Sequence, residues 1–344
     1  MNVLLKDFQS NKLRNLALMK LSTYHKSMGD QVFLGAAPPG TRVDKVYVSV
    51  VFDSDLDEAR KILDVYPSAV MGGGAWDKSN RLPTAVEACK PDWQLYAVEE
   101  VYRRVCGGLG ARDRKIVKAQ EIADAGIGYT TRGCIRRCGF CDVWRREGDL
   151  HQADSLEDIL SPRSNMVFLL DNNFTADPIA LDKLREIRER GLAVEITQGI
   201  DVRLMTDELA HALAGVKHRR SIHYAWDLME SETKVIAGIK LLSRYIKAYR
   251  HKCYVLVGYD TTFEEDLYRF RRLRELGVDP YVMIYRGSER VLDEKAHFDL
   301  ADVRLRHFAR WVNGYFFKKI GFTEYDPWVM SQRATRQTSL SLVG

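Results

Sequence analysis

Three cysteines lie within eight positions of one another in the stretch GCIRRCGFC, as Cys134, Cys138 and Cys141. Thiolates this close repel one another unless a metal neutralises them, so the spacing predicts a metal site. Structural zinc usually takes two separated cysteine pairs, and Cys89, Cys106 and Cys253 are single, with His151 the nearest histidine. A site with three protein ligands leaves one coordination position open, which is the arrangement that catalysis uses.

The composition is that of an ordinary globular protein. The chain has 344 residues, of which 46% are hydrophobic and 29% charged, and only six are cysteine, too few for a disulfide scaffold. Because no long uncharged apolar run is present, we expect a cytoplasmic protein with reduced thiols and no membrane association. The net charge of +5 is mildly basic and compatible with an anionic substrate.

The elements that must carry the cysteines start with an α/β layer in residues 1–115. Strands are predicted at 3–5, 31–34, 45–52 and 67–74, helices at 13–28 and 55–66, and a connector without clear periodicity at 75–115. This pattern predicts a small Rossmann-like α/β domain. The triple glycine at 72–74 fits either a tight turn or a backbone that approaches a phosphate.

Six strands separated by amphipathic helices are predicted between residues 116 and 290. The strands are 122–129, 166–170, 192–197, 221–226, 252–258 and 279–285. Such βα units predict a parallel sheet that curves into a partial barrel, with its chemistry at the carboxyl ends of the strands. Residues 291–344 are expected to form a helical extension and a polar tail.

The cysteine stretch resembles the signature of the radical S-adenosylmethionine (radical SAM) enzymes, C-x3-C-x-aromatic-C, with Phe140 at the aromatic position. The resemblance implies a partial (β/α)6 TIM-like barrel, preceded here by the Rossmann-like domain. It also implies that the three cysteines hold a 4Fe–4S cluster whose fourth iron receives the amino and carboxylate groups of S-adenosylmethionine. An electron from the cluster would then cleave that cofactor to a 5′-deoxyadenosyl radical.

The same resemblance implies further cofactor-binding residues at the strand ends. Phe140 is expected beside the adenine, and Asp171, Asn172 and Asn173 stand where the family receives the methionine amino group. We expect the remaining contacts from Gln198 to a ribose hydroxyl, from Arg203 to a carboxylate, and from Val257, Gly258 and Tyr259 to the adenine. The 171–173 segment also fits a helix N-cap region, and Arg203 also fits a surface ion pair.

The strand SIHYAWDL leaves open which of its faces lines the cavity. Either His223 and Asp227 or Tyr224 and Trp226 point inward, because side chains alternate along a strand. A histidine and carboxylate pair inside could move protons, whereas a core histidine would only support packing.

The N-terminal domain stands where one branch of the family binds cobalamin. That branch typically carries Asp-x-His-x-x-Gly, which this chain lacks; the single histidine of its first hundred residues is His25, in a predicted helix. We therefore expect no cobalamin, although binding without a histidine ligand stays open, and with it a cobalamin-dependent methyltransferase.

The reaction and the partners remain alternatives at this point. One hypothesis is a radical enzyme acting on a small-molecule or nucleic-acid substrate, with flavodoxin or ferredoxin as electron donor. The other is a non-catalytic metal-binding or nucleic-acid-binding protein whose arginines meet phosphate. The arginines concerned are Arg132, Arg136, Arg137, Arg145 and Arg146.

Overall fold

The computed structural model describes residues 1–8, 13–105, 112–285 and 300–326. The chain forms two compact units that interleave along the sequence. The first comprises residues 1–132, 145–171 and 190–195, and the second comprises residues 133–144, 172–189 and 196–344.

The first unit contains the following elements, except that the start of α7 and the last residue of β9 belong to the second unit. They are β1 (Asn2–Phe8), α1 (Leu16–Ser27), β2 (Gln31–Leu34), β3 (Lys45–Val50), α2 (Leu56–Arg60), α3 (Ile62–Val65), β4 (Val70–Gly72), α4 (Thr84–Glu87), α5 (Val98–Val105), α6 (Arg112–Asp124), β5 (Gly126–Gly128), β6 (Thr131–Arg132), α7 (Val143–Glu147), β7 (His151–Gln152), α8 (Leu156–Ile159), β8 (Met166–Leu169) and β9 (Ala193–Ile196). The second unit contains α9 (Ala180–Glu189), α10 (Asp207–Ala214), β10 (Lys217–His218), β11 (Ile222–Ala225), α11 (Glu232–Tyr245), β12 (His251–Val257), α12 (Phe263–Glu275), β13 (Asp279–Ile284) and α13 (Leu300–Asn313).

The first sheet of the first unit is parallel, with strand order β2-β1-β3-β4. Its central strands β1 and β3 are buried on both faces, which explains their continuous apolar runs, whereas the edge strands β2 and β4 are partly exposed. Val3 and Leu5 pack in one cluster with Leu18 of α1, whereas Leu4 packs in another with Val48. This is a doubly covered α/β layer, in which the chain order reverses between β1 and β3.

Two sequence predictions in the first unit are wrong in part. The predicted connector at 75–115 contains α4, α5 and the start of α6, because Val101 and Val105 recur at helical spacing and are buried. The strand predicted from residue 122 begins only at Gly126, since Ile122 belongs to α6. Glycine is needed at 126 and 128 because a Cβ at either position would overlap Ile159 of α8.

The second unit holds a parallel sheet of order β11-β12-β13, and Ile200 forms a further parallel bridge to Tyr224. Helices α11 and α12 connect consecutive strands, as expected for βα units. Each of the six strands predicted between 116 and 290 overlaps an observed strand, from β5 through β8, β9, β11 and β12 to β13. The structure is therefore mixed α/β with parallel sheets.

The closure of these strands into one partial barrel stays a prediction, as do the domain boundaries after residues 115 and 290. The second boundary and the tail from residue 327 lie outside the described residues, as does Cys106. Within the described ranges no helix has the length and apolar character needed to cross a membrane. The five described cysteines carry free thiols.

Gly238 in α11 generates a prediction about packing. Its backbone lies so close to the segment at Val202 that an added Cβ would overlap the Val202 carbonyl oxygen. Alanine at an exposed helix position stabilises by about 1 kcal/mol relative to glycine. We expect Gly238→Ala instead to lower the free energy of unfolding, by about 1–3 kcal/mol, because overpacking outweighs that gain.

Urea unfolding followed by circular dichroism measures this difference. Ala237→Ser is the matched control, since it adds one heavy atom at the neighbouring exposed position of α11. A Gly238→Ala protein more stable than the wild type would contradict the close approach.

Candidate active site

The three clustered cysteines occupy a loop of the second unit, between Gly133 and the start of α7. Each cysteine is half-buried. The backbone N–H of Cys141 donates to the carbonyl of Cys138 at 3.1 Å, and that carbonyl also accepts from the indole Nε1 of Trp144 at 3.1 Å. The N–H of Arg136 donates to Cys134 Sγ at 3.3 Å. These hydrogen bonds hold the segment that carries the three thiols in a turn.

The thiols lie within electrostatic reach of one another. Burial raises the pKa of Cys138, and negative charge on Cys141 and Cys134 raises it further, while Arg203 opposes the shift. Burial likewise raises the pKa of Cys141. Without a bound metal these two thiols are neutral near pH 7, so the repulsion expected between neighbouring thiolates does not arise until protons are released on metal binding.

A carboxylate shared by two arginines fixes the loop to its surroundings. Asp201, which follows the Ile200 bridge, accepts from Arg136 Nε at 3.0 Å and from Arg203 Nε and Nη2 at 2.7 and 2.9 Å. Burial disfavours the charged form of Asp201, but the hydrogen bonds and charges of Arg203 and Arg136 outweigh it and lower its pKa. Three charges within this junction leave a net charge of +1 beside the thiols.

Arg203 thus forms a half-buried ion pair with Asp201, and its expected contact with a cofactor carboxylate stays a prediction. Its Nε and Nη2 grip Asp201, and Nη1 makes no hydrogen bond within the ranges that the structure describes. Its positive charge nevertheless acts on Cys138.

The segment after β8 approaches the same loop. The amide Nδ2 of Asn173 donates to Cys134 Sγ at 3.5 Å, and Asn173 is 5% exposed. The hydroxyl of Thr175 accepts from the N–H of Asp201 at 2.9 Å, which ties this segment to the shared carboxylate. Asn172 is half-buried beside them.

Asp171 is a buried hydrogen-bond acceptor for the residues at the start of β6. It belongs to the first unit, is fully buried, and accepts four hydrogen bonds of 2.5–3.2 Å from the N–H and hydroxyl groups of Thr130 and Thr131. A carboxylate with four donors has its lone pairs occupied, so it supports β6. The expected contact of Asp171 with the methionine amino group stays a prediction.

Aromatic rings flank the other side of the cysteine turn. The Phe140 ring lies edge-on to Tyr259, with centroids 5.2 Å apart, and Tyr259 lies 4.8 Å from Tyr285. Tyr259 follows Gly258, which has a φ of +77° suited to glycine, and the fully buried Val257 at the end of β12. The expected adenine contacts Phe140, Val257, Gly258 and Tyr259 therefore lie close together.

Gln198 stands apart from these contacts. It is exposed in the turn between β9 and the Ile200 bridge, and its side chain makes no hydrogen bond within the described ranges. The next residue, Gly199, has a φ of +85° and packs on the carbonyl of His223. The turn holds Gln198 on the solvent side.

The two faces of the strand segment that begins with β11 differ in burial. Tyr224 and Trp226 are buried at 1% and 0% exposure, and Trp226 packs against Tyr268 of α12. His223 and Asp227 lie on the other face, where Asp227 is close enough for its charge to influence Cys138 and Cys141. Burial raises the pKa of Asp227 to about 6, against the opposing effects of the Leu256 N–H and Arg269.

Arg269 of α12 positions the end of β11, which the sequence did not indicate. It is completely buried, and its guanidinium donates to the carbonyls of Trp226, Asp227 and Leu256 at 2.7–2.8 Å. It also pairs with Asp266. The role of Asp201 was missed as well, although its position two residues before Arg203 is a usable signal.

Comparison with protein-family models and with curated proteins gives no match. Among solved structures, the chain is similar to Streptococcus suis SuiB bound to S-adenosylmethionine, with 14% identity and a TM-score of 0.36. The similarity covers 64% of this chain, and the chain spans 57% of the length of that protein. A TM-score of this size does not establish a common fold.

Asp227 generates a prediction about pH. Its folded-state pKa of about 6 exceeds the ordinary aspartate value of 3.8, so the folded chain binds a proton more tightly than the unfolded chain. The wild type should lose about 1–3 kcal/mol of stability as the pH rises from 4 to 7 because of this group. Asp227→Asn should remove that loss, giving equal stability at pH 4 and a more stable protein at pH 7.

Urea unfolding of metal-free protein across this pH range measures the difference curve. Asp64→Asn, at an exposed carboxylate of α3, should follow the wild type throughout. Parallel stability curves of Asp227→Asn and the wild type would show that the pKa of Asp227 is not raised in the folded chain.

Proposed function

We propose that this chain is a radical SAM enzyme in which Cys134, Cys138 and Cys141 hold a 4Fe–4S cluster. The observation that carries the proposal is the cysteine turn itself. Three free thiols of a C-x3-C-x-Phe-C segment lie within mutual electrostatic reach, with an amide at Cys134 and an aromatic pair at Phe140. The parallel βα units of the second unit, β11 to β13, also support the proposal.

A 4Fe–4S cluster would take its protein ligands from Cys134, Cys138 and Cys141. Within the described ranges no three His, Cys, Asp or Glu side chains are arranged to hold one metal ion. A cubane takes each thiolate on a different iron, so its ligands need not converge on one point. Structural zinc would require such convergence and a fourth ligand.

S-adenosylmethionine would bind beside the cluster through residues of the second unit. We assign its amino and carboxylate end to Asn172, Asn173 and the positive charge at Arg203, and its adenine to Phe140 and the Val257–Tyr259 segment. Gln198 would have to turn inward to reach the ribose. When bound, the cluster supplies the electron that cleaves S-adenosylmethionine to the 5′-deoxyadenosyl radical.

The chain's own groups prepare this site. Arg136 and Arg203 hold Asp201 and so fix the cysteine turn, while the positive charge of Arg203 favours the thiolate form of Cys138. The pKa of Asp227 is raised to about 6 by burial, and we assign its carboxyl group proton transfer to or from substrate. The backbone carbonyl of Asp227 accepts from Arg269, which holds this strand end in place.

The substrate and the electron donor are inferred from charge. Exposed Arg137 and Ile135 on the cysteine turn favour an acidic one-electron donor such as flavodoxin or ferredoxin. The positive charge of the cysteine turn favours an anionic small-molecule or nucleic-acid substrate.

Cobalamin is not part of the proposal. His25 is 3% exposed, and its two ring nitrogens contact Asp30 at 2.7 Å and Tyr47 at 3.0 Å. Neither nitrogen is directed to a ligand, so His25 is a core residue.

Anaerobic iron and sulfide reconstitution, followed by S-adenosylmethionine and dithionite, tests the function. We expect the wild type to form 5′-deoxyadenosine, and Cys134→Ser, Cys138→Ser and Cys141→Ser to reduce it to background. Cys89→Ser is the matched control, because Cys89 lies beyond α4 in the first unit and should leave the rate unchanged.

One outcome of this experiment would contradict the proposed radical SAM activity. Protein that binds zinc through the three cysteines, keeps it in air and forms no 5′-deoxyadenosine would favour the non-catalytic metal-binding alternative.

A further inference from the structure

Arg146 of the first unit is a half-buried arginine without a counterion. Its Nε has no exposed surface and no hydrogen-bond partner, and the side chain forms no ion pair within the described ranges. A buried polar atom without a partner is costly, and a bound ion is one of the explanations for such an atom. The proposed radical chemistry makes no use of Arg146.

The guanidinium rests on the triple-glycine turn that follows β4. Both of its terminal nitrogens stand 2.8 Å from the position that a Cβ would occupy on residue 74. Glycine at 74 is therefore required for Arg146 to lie here. At Gly73 the φ is +95°, and a Cβ would overlap the backbone of Val50 at the end of β3.

The turn also has two backbone N–H groups without an acceptor in the described ranges, those of Gly73 and Gly74, whereas the next two residues donate. Ala75 donates to the carbonyl of Val50 at 3.1 Å, and Trp76 donates to Gly73 at 3.2 Å. The N–H groups of Gly73 and Gly74 donate to no acceptor in the part of the chain that the structure describes. Successive free N–H groups beside a glycine of positive φ form a concave anion-binding surface.

The acidic residues nearest in sequence to this turn and to Arg146 have other partners. The nearest carboxylate in sequence, Asp77, accepts from the N–H and hydroxyl of Ser79 at 2.8 and 2.7 Å. Glu147 pairs with Arg132. The turn also lies at the carboxyl edge of the β2-β1-β3-β4 sheet, where open parallel sheets bind their ligands.

We propose that Arg146 and the N–H groups of Gly73 and Gly74 form a binding site for a phosphate group. The guanidinium donates to the phosphate oxygens, and the two amides complete the anion's hydrogen bonds. The site lies within the first unit and is independent of the radical chemistry proposed for the second.

Calorimetric titration of the metal-free full chain with inorganic phosphate, and separately with AMP, tests the site at constant ionic strength. Arg146→Gln should weaken the binding of either probe about tenfold or more, because it removes a charged donor. Gly74→Ala should weaken it in the same direction by displacing the guanidinium, and should add little to Arg146→Gln in the double variant. Tighter binding of AMP than of phosphate would identify a nucleotide as the source.

Arg60→Gln is the matched control, since it removes one arginine charge from the exposed side of α2. It should bind both probes as the wild type does, and thermal unfolding should show that all variants fold. The proposal is overturned if the wild type binds neither probe saturably in the millimolar range. It is also overturned if folded Arg146→Gln or Gly74→Ala binds as tightly as the wild type.

Discussion

The arrangement of the candidate site depends on one carboxylate held by two arginines. Asp201 joins the cysteine turn through Arg136, the segment after β8 through Thr175, and its own strand end through Arg203. Hydrogen bonds to charged groups contribute about 1.5–3 kcal/mol each when shielded from water, enough to fix a short loop without regular structure. The junction also sets the charge beside the thiols, because two cations outweigh one anion.

A buried arginine, Arg269, imposes a second constraint on the site. Arg269 satisfies the carbonyls at the ends of β11 and β12, where parallel strands run out of ladder partners. The strand ends that carry Asp227 and the Val257–Tyr259 segment are thereby held by one buried guanidinium. The site is thus built from loops and strand ends that hydrogen bonds to Asp201 and Arg269 hold in place.

The sequence predicted what local pattern determines and missed what only the tertiary structure determines. Apolar periodicity located the six later strands, and motif spacing singled out the cysteine turn. Helices α5 and α6 were missed because charged residues mask their narrow buried stripes. Asp171 and Asp201 could not be told apart, since an acceptor's role depends on which donors reach it, and those of Asp171 come from forty residues away.

The proposed function requires the cysteine turn to hold a cluster with an iron open to S-adenosylmethionine. Electron paramagnetic resonance of the reduced, reconstituted protein tests it directly, with and without that cofactor. We predict the signal of a reduced 4Fe–4S cluster whose g-values shift when S-adenosylmethionine is added. A chain that takes up no iron through these cysteines, or a cluster signal indifferent to S-adenosylmethionine, would contradict the account.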